Sequence, residues 1–122
     1  MAHFSKILDG FVVDLIVVGN EDCGGGNFPE SEPIGKNFIL NLSKNDPRLD
    51  GEWIQTSFNT YKGLWFENRD IQYGLVDDKI EIINGDPNKG FRKNFGQIGF
   101  IYDKNLDEFI DPSSTENSRS NK

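Results

Sequence analysis

The dipeptide Asp9-Gly10 lies between two segments of alternating apolar residues, Ala2 to Leu8 and Phe11 to Val18. A two-residue type I′ turn needs positive φ at both central positions, and Asp-Gly is one of the few pairs that adopt it without strain. The stretch is therefore expected to be a β-hairpin, with Leu8 facing Phe11, Ile7 facing Val12 and Phe4 facing Leu15. Its second strand places Phe11, Val13, Leu15 and Val17 on one side. Val12, Ile16 and Val18 fall on the other, interrupted only by Asp14. Apolar residues on both sides predict a strand covered twice, either central in a sheet or at an interface.

A second hairpin is expected to close the chain. Phe91 and Phe95 form an ordered lead-in, Ile98 to Tyr102 a strand, Asp103-Lys104-Asn105 a turn, and Leu106 to Ile110 the return strand. Gly96 and Gly99 bracket the start of this hairpin, where a close backbone approach or a positive φ is needed. Between the two hairpins, Gly19 to Pro29 is a loop around Gly24-Gly25-Gly26, without the spacing that cradles phosphate. Ser31-Glu32-Pro33 has the chemistry of a helix start, with Ser31 as N-cap. Ile34, Phe38, Ile39 and Leu42 then recur at helical spacing, which predicts one helix from about Glu32 to Leu42, ended by Asn45-Asp46-Pro47. Glu52 to Phe58 is a strand carrying Trp53 and Ile54, and Leu64-Trp65-Phe66 is a shorter one after a turn. Ile71 to Tyr73 is expected to pair with Lys79 to Ile83 across a loop from Gly74 to Asp78. Asn84 to Asn88 is a further loop.

These elements make an α+β, mostly β fold: a small antiparallel, sandwich-like domain of hairpins over residues 1–110, with one helix packed on the sheet. Residues 111–122 carry no aliphatic side chain and are expected to form a polar flexible tail. Only 35% of the 122 residues are apolar, but ten phenylalanines, three tyrosines and two tryptophans supply bulk for the core of one domain.

Charge narrows the partners. Twenty acids against 13 bases give a net −7, the reverse of a phosphate-binding surface, so nucleic acid is not expected as the main partner. Cys23 is the single cysteine, which suits a reducing compartment and excludes an intramolecular disulfide. Met1 to Phe4 lacks the regions of a secretory signal, and no apolar run is long enough for a bilayer. A soluble protein away from membranes is expected.

Catalytic patterns are sparse. His3 is the only histidine, so with Cys23 it cannot furnish the three or four nitrogen or sulfur ligands of a zinc site. A Cys-His nucleophile pair is disfavoured because the acidic loop around Cys23 raises a thiol pKa. Carboxylates cluster at Glu30/Glu32, Asp77/Asp78 and Asp103/Asp107/Glu108, all readable as turn formers or helix-start acids. Asp46 to Asp50 lacks the calcium-loop spacing. No enzyme activity and no cofactor are expected. Arg92-Lys93, between Phe91 and Phe95, is the one basic-aromatic cluster, and with this net charge it reads as a protein contact or a solvated face.

Four ordered pieces resemble small virion structural proteins of marine tailed bacteriophages, the cyanophage type especially. They are Met1 to Lys6 with Val12 to Cys23, Ser31 to Gly35, Trp53 to Thr60, and Phe91 to Asp103, spread over most of residues 1–110. The chain departs from that family in a longer, more strand-like segment from Leu64 to Asn84, and many of its members carry a proline- and tryptophan-rich extension. The resemblance implies a non-enzymatic structural protein of the virion, assembled in the bacterial host cytoplasm. The leading expectation is a capsid decoration protein bound to the major capsid protein. A tail or tail-fibre accessory or assembly protein is the alternative, and a homo-oligomer is among the expected partners. A small hydrolase built on Asp103 and Asp107 is a third reading. The residues expected at or near an interface are Trp65, Phe91, Arg92 and Phe95.

Overall fold

In a computed structural model, residues 1–113 are described. Strands β1 (Ala2–Leu8) and β2 (Phe11–Val18) form the expected hairpin, with Asp9 at φ 53° and Gly10 at φ 83°. Helix α1 spans Ser31–Ser43. Then follow β3 (Glu52–Thr56), β4 (Thr60–Tyr61), β5 (Leu64–Trp65), β6 (Tyr73–Val76), β7 (Lys79–Ile82), β8 (Ile101–Asp103) and β9 (Glu108–Ile110). The main sheet has the order β3-β1-β2-β8-β9, and β4-β5 and β6-β7 are separate two-stranded ribbons. All pairings are antiparallel, so the fold is α+β and mostly β. The tail expected over 111–122 lies, from residue 114 onward, outside the described residues.

The register of the first hairpin departs from the simple reading. Leu8 faces Phe11 and Ile7 faces Val12, but an irregularity between Lys6 and Ile7 shifts the rest by one, so Phe4 faces Ile16 rather than Leu15. Such a bulge sends neighbouring residues to new faces. Ile16 and Val18 join Ala2, Phe4, Cys23, Ile39, Leu49 and Trp53 in a core beneath the helix. Val12 instead joins Ile7, Ile54 and Phe109 in a second core on the opposite face. The strand covered on both sides is therefore β1, where Phe4 and Ser5 are both 0% exposed. It is not β2, whose Phe11, Val13 and Val17 are exposed. Among the described residues, backbone pairing along the outer edge of β2 stops after Val12, and Asp14 Oδ1 accepts there from the Leu15 N–H at 2.8 Å, which blunts the edge.

The segment leading to β8 covers the second core through hydroxyls rather than a ladder. Ser5 Oγ donates to the Gly96 carbonyl and the Gly96 N–H donates to Thr56 Oγ1, both at 2.7 Å. Gly96 then sits against Phe109: a Cβ there would meet the ring's Cδ1 at 2.6 Å. Gly99 takes φ 96°. That turn delays β8 to Ile101, and Asp107 at φ 54° delays β9 to Glu108, so both closing strands are shorter than expected. The loop expected from Gly74 to Asp78 is also mostly strand, because Asp77 and Asp78 form a tight turn by themselves at φ 50° and 64°. Aspartate tolerates this region through local hydrogen bonding, a property that lets it replace glycine.

Ser31 is not the N-cap of the helix. Glu30 occupies that position with no side-chain cap bond, and Ser31 Oγ instead donates to Gln55 Oε1 of β3 at 2.7 Å. The apolar face of the helix is rotated accordingly. Ser31, Gly35 and Ile39 are buried, whereas Ile34 and Leu42 are exposed.

Candidate functional site

Strands β6 and β7 form an arm with Tyr73 opposite Ile82 and Leu75 opposite Ile80. Facing residues of an antiparallel pair share a side, so these four apolar side chains make one face of the ribbon. Among the described residues nothing covers the outer part of that face: Tyr73 is 59% exposed, Leu75 75% and Ile80 76%. Burying each of these three on a partner would contribute on the order of 1–2 kcal/mol. An isolated two-stranded ribbon is marginal in water, so the arm needs its neck. There the Ile83 N–H donates to the Gln72 carbonyl at 3.0 Å. Asn84 bridges the two sides, accepting from the Gln72 N–H at 2.9 Å and donating to the Asp70 carbonyl at 2.7 Å. Below it, Trp65 and Asp86 exchange backbone hydrogen bonds of 3.0 and 2.8 Å, tying the neck to β5.

The four residues singled out from the sequence lie in different environments. Trp65 is half-buried, with Lys89 Nζ 4.7 Å above its ring. Phe91 is half-buried and stacks on Phe28, the centroids 3.9 Å apart. Phe95 is a buried core residue, edge-on to His3 and Phe58. Arg92 has a side chain only 9% exposed, paired with Glu32 and Asp107 inside the chain, and its guanidinium carbon lies 5.0 Å from the Phe28 ring centre. That pairing replaces the solvated face expected for it, because a planar fork of five donors can join three elements where a solvated lysine could not. Lys93 comes within 4.0 Å of Glu108.

Trp65 and Phe91, with His3, Gln55, Phe58 and Asn59, line an open cleft of about 930 Å³. Its lining contains no carboxylate, and much of its aromatic surface is already engaged: Phe28 between Phe91 and Arg92, and Phe58 between His3 and Arg69. Cys23 and His3 both reach the cleft. Burial first, and then Asp22, push the thiol of Cys23 up. Burial and then the N-terminal charge push His3 down. A thiolate–imidazolium pair needs the opposite shifts.

The carboxylate clusters are engaged in structure. Asp103 Oδ1 accepts from the N–H groups of Asn105 and Leu106, closing the β8–β9 turn. Asp107 accepts from Arg92 Nε at 2.8 Å and from the Tyr102 hydroxyl. Glu32 accepts from Arg92 and from the Gln55 N–H, sealing the outer edge of β3. Among the described residues no group of three or more histidine, cysteine, aspartate or glutamate side chains could hold a metal ion. No helix there is long and apolar enough to cross a membrane.

The arm was not singled out as a site by sequence reasoning. Its signal was present in the alternation of Tyr73 and Leu75 before Asp77-Asp78 and of Ile80 and Ile82 after it. No family model, curated protein or solved structure matches the chain.

Proposed function

We propose that this chain is a non-enzymatic structural component of a tailed-phage virion: a capsid decoration protein that binds the major capsid protein and is assembled with it in the bacterial host cytoplasm. The observation that carries a docking role is the β6–β7 arm, which holds Tyr73, Leu75 and Ile80 exposed on a ribbon tied at its neck. A cluster of large exposed apolar side chains is the mark of an interaction surface. The aromatic cleft without acid–base pairing, and the carboxylates held in turns and ion pairs, also favour binding over catalysis. The particle itself is suggested by the four pieces that resemble small phage virion proteins, and the net −7 charge suits a protein partner better than packaged DNA.

Quantitative mass spectrometry of purified virions tests this reading. A copy number that is a simple large fraction of the major capsid protein is expected. A number at the level of tail proteins would overturn the capsid assignment in favour of a tail or tail-fibre accessory. Complete absence would overturn the virion role and return attention to an assembly factor or to hydrolysis by Asp103 and Asp107.

A further inference from the structure

We infer that the β6–β7 arm inserts into an apolar groove of a partner virion subunit, and that the mouth of this groove is basic. The inference rests on the virion reading above and adds the chemistry of the contact. Residues 70–86 carry five acids, Asp70, Asp77, Asp78, Glu81 and Asp86, against the single Lys79. Asp77, Asp78 and Glu81 are exposed and make no ion pair among the described residues. The arm therefore presents an apolar flank with an unpaired anionic tip. Steering and register of such a surface come from cations on the partner.

A second copy of this chain is a poor occupant. The exposed apolar flank consists of three large side chains, Tyr73, Leu75 and Ile80, a surface on the order of the few-hundred-Å² patches that monomers carry. That is less than the about 800 Å² per partner of a standard interface. Stacking two arms would bury too little and would gather four tip carboxylates on one small contact. A groove that encloses the ribbon avoids both problems, because it also reaches the two open strand edges. Among the described residues β6 and β7 pair only with each other, so each keeps an outer row of backbone groups for a partner strand or loop.

The test uses the full chain supplied during infection with a photo-cross-linking amino acid, p-benzoylphenylalanine, in place of Leu75, or of Leu40 on the exposed side of the helix as comparison. Circular dichroism and melting confirm that each variant folds, as expected for exposed positions. Irradiated particles should yield one adduct from position 75, mapping to a virion protein segment with apolar residues flanked by lysine or arginine, and none from position 40. The pair Asp77→Asn and Asp78→Asn keeps residues that tolerate positive φ and removes only charge. It should lower incorporation about tenfold in competition with the unaltered protein. Adducts from 40 but not 75 would overturn the arm while leaving the virion role intact. An adduct from 75 to a second copy of this chain, or undiminished incorporation of the asparagine pair, would overturn the basic groove. Absence of the unaltered chain from particles would overturn the virion role, and this contact with it.

Discussion

Arg92 holds its backbone at φ 57° and the next residue, Lys93, at 67°, a region that residues with a Cβ rarely occupy. What fixes them there is the use made of every part of Arg92. Nη1 donates to Glu32 and, at 2.8 Å, to the Gln55 carbonyl; Nε donates to Asp107; and the Arg92 carbonyl accepts from the N–H groups of Asn94 and Phe109. Burial alone would lower the guanidinium's pKa, but the bonds and charges of Glu32 and then Asp107 outweigh it and raise it. Burial likewise pushes Asp107 up, yet the hydrogen bonds from Tyr102 and Arg92, with the guanidinium charge, leave its carboxyl below the usual range. At the other end of the chain of bonds, Tyr102 is pushed up to about 12, first by burial and then by donating to Asp107 beside that carboxylate's charge. A folded pKa above the unfolded value near 10 means that this contribution to stability is complete below pH 10 and is lost as pH rises toward 12. An alkaline titration followed by tyrosinate absorbance should therefore show one late step near pH 12, absent from Tyr102→Phe. A Tyr102 step near 10 would contradict the bond to Asp107. For Asp107 the sign reverses: its stabilisation is present above the ordinary carboxylate pKa and is lost as pH falls through the lowered one.

Helix α1 shows why an element can keep a residue that disfavours it. Gly35 sits mid-helix, where alanine would gain about 1 kcal/mol in propensity. A Cβ at this position would meet Phe4 Cε1 at 2.8 Å and Cys23 Sγ at 3.0 Å. Phe4 is locked between strands and helix, so the neighbours have little room to yield, and overpacking of this kind costs about 1–3 kcal/mol. The clash wins, and Gly35→Ala should destabilise the protein by about 1 kcal/mol net, read as a lower urea midpoint at unchanged slope. Leu40→Ala, on the exposed side, should leave the midpoint within about 0.5 kcal/mol of the original. A more stable Gly35→Ala would show that the helix can lift off β1. The expected helix stripe of Ile34, Phe38, Ile39 and Leu42 was legible as periodicity. Which part of it would be buried was not, because the closest approach is made at Gly35, a residue invisible to any hydrophobic pattern.

Across the whole molecule, two cores lie on opposite faces of β1, and the Glu32–Arg92 pair ties the helix, the outer edge of β3 and the closing segment together. Removing one member of a buried pair leaves a charge without compensation. Asp107 remains beside Arg92 and a glutamine can still accept, so Glu32→Gln should cost less than an uncompensated charge would, about 2 kcal/mol. Trp53 belongs to the helix-side core and Trp65 to β5, so single-tryptophan proteins can report on the two regions separately. Both should show the same, equally shifted urea transition in Glu32→Gln, because a domain of this size unfolds as one cooperative unit. Two separated transitions would mean that the β5 region unfolds independently of the helix-side core. The sequence by itself determined what depends on near neighbours: the turn at Asp9-Gly10, the helix after Ser31, and a need for glycine around 96 and 99 that was open between a close approach and a positive φ. Turn chemistry and periodicity act over a few residues, and those are present in the string. Only the tertiary structure decided that a bulge sends Val12 and Ile16 to different cores, that β1 rather than β2 is covered twice, and that Arg92 turns inward to Glu32. It also decided that the alternating residues of β6 and β7 face water. Burial is a property of what packs on a surface, and residues 32 and 92 become neighbours only when the intervening chain has folded.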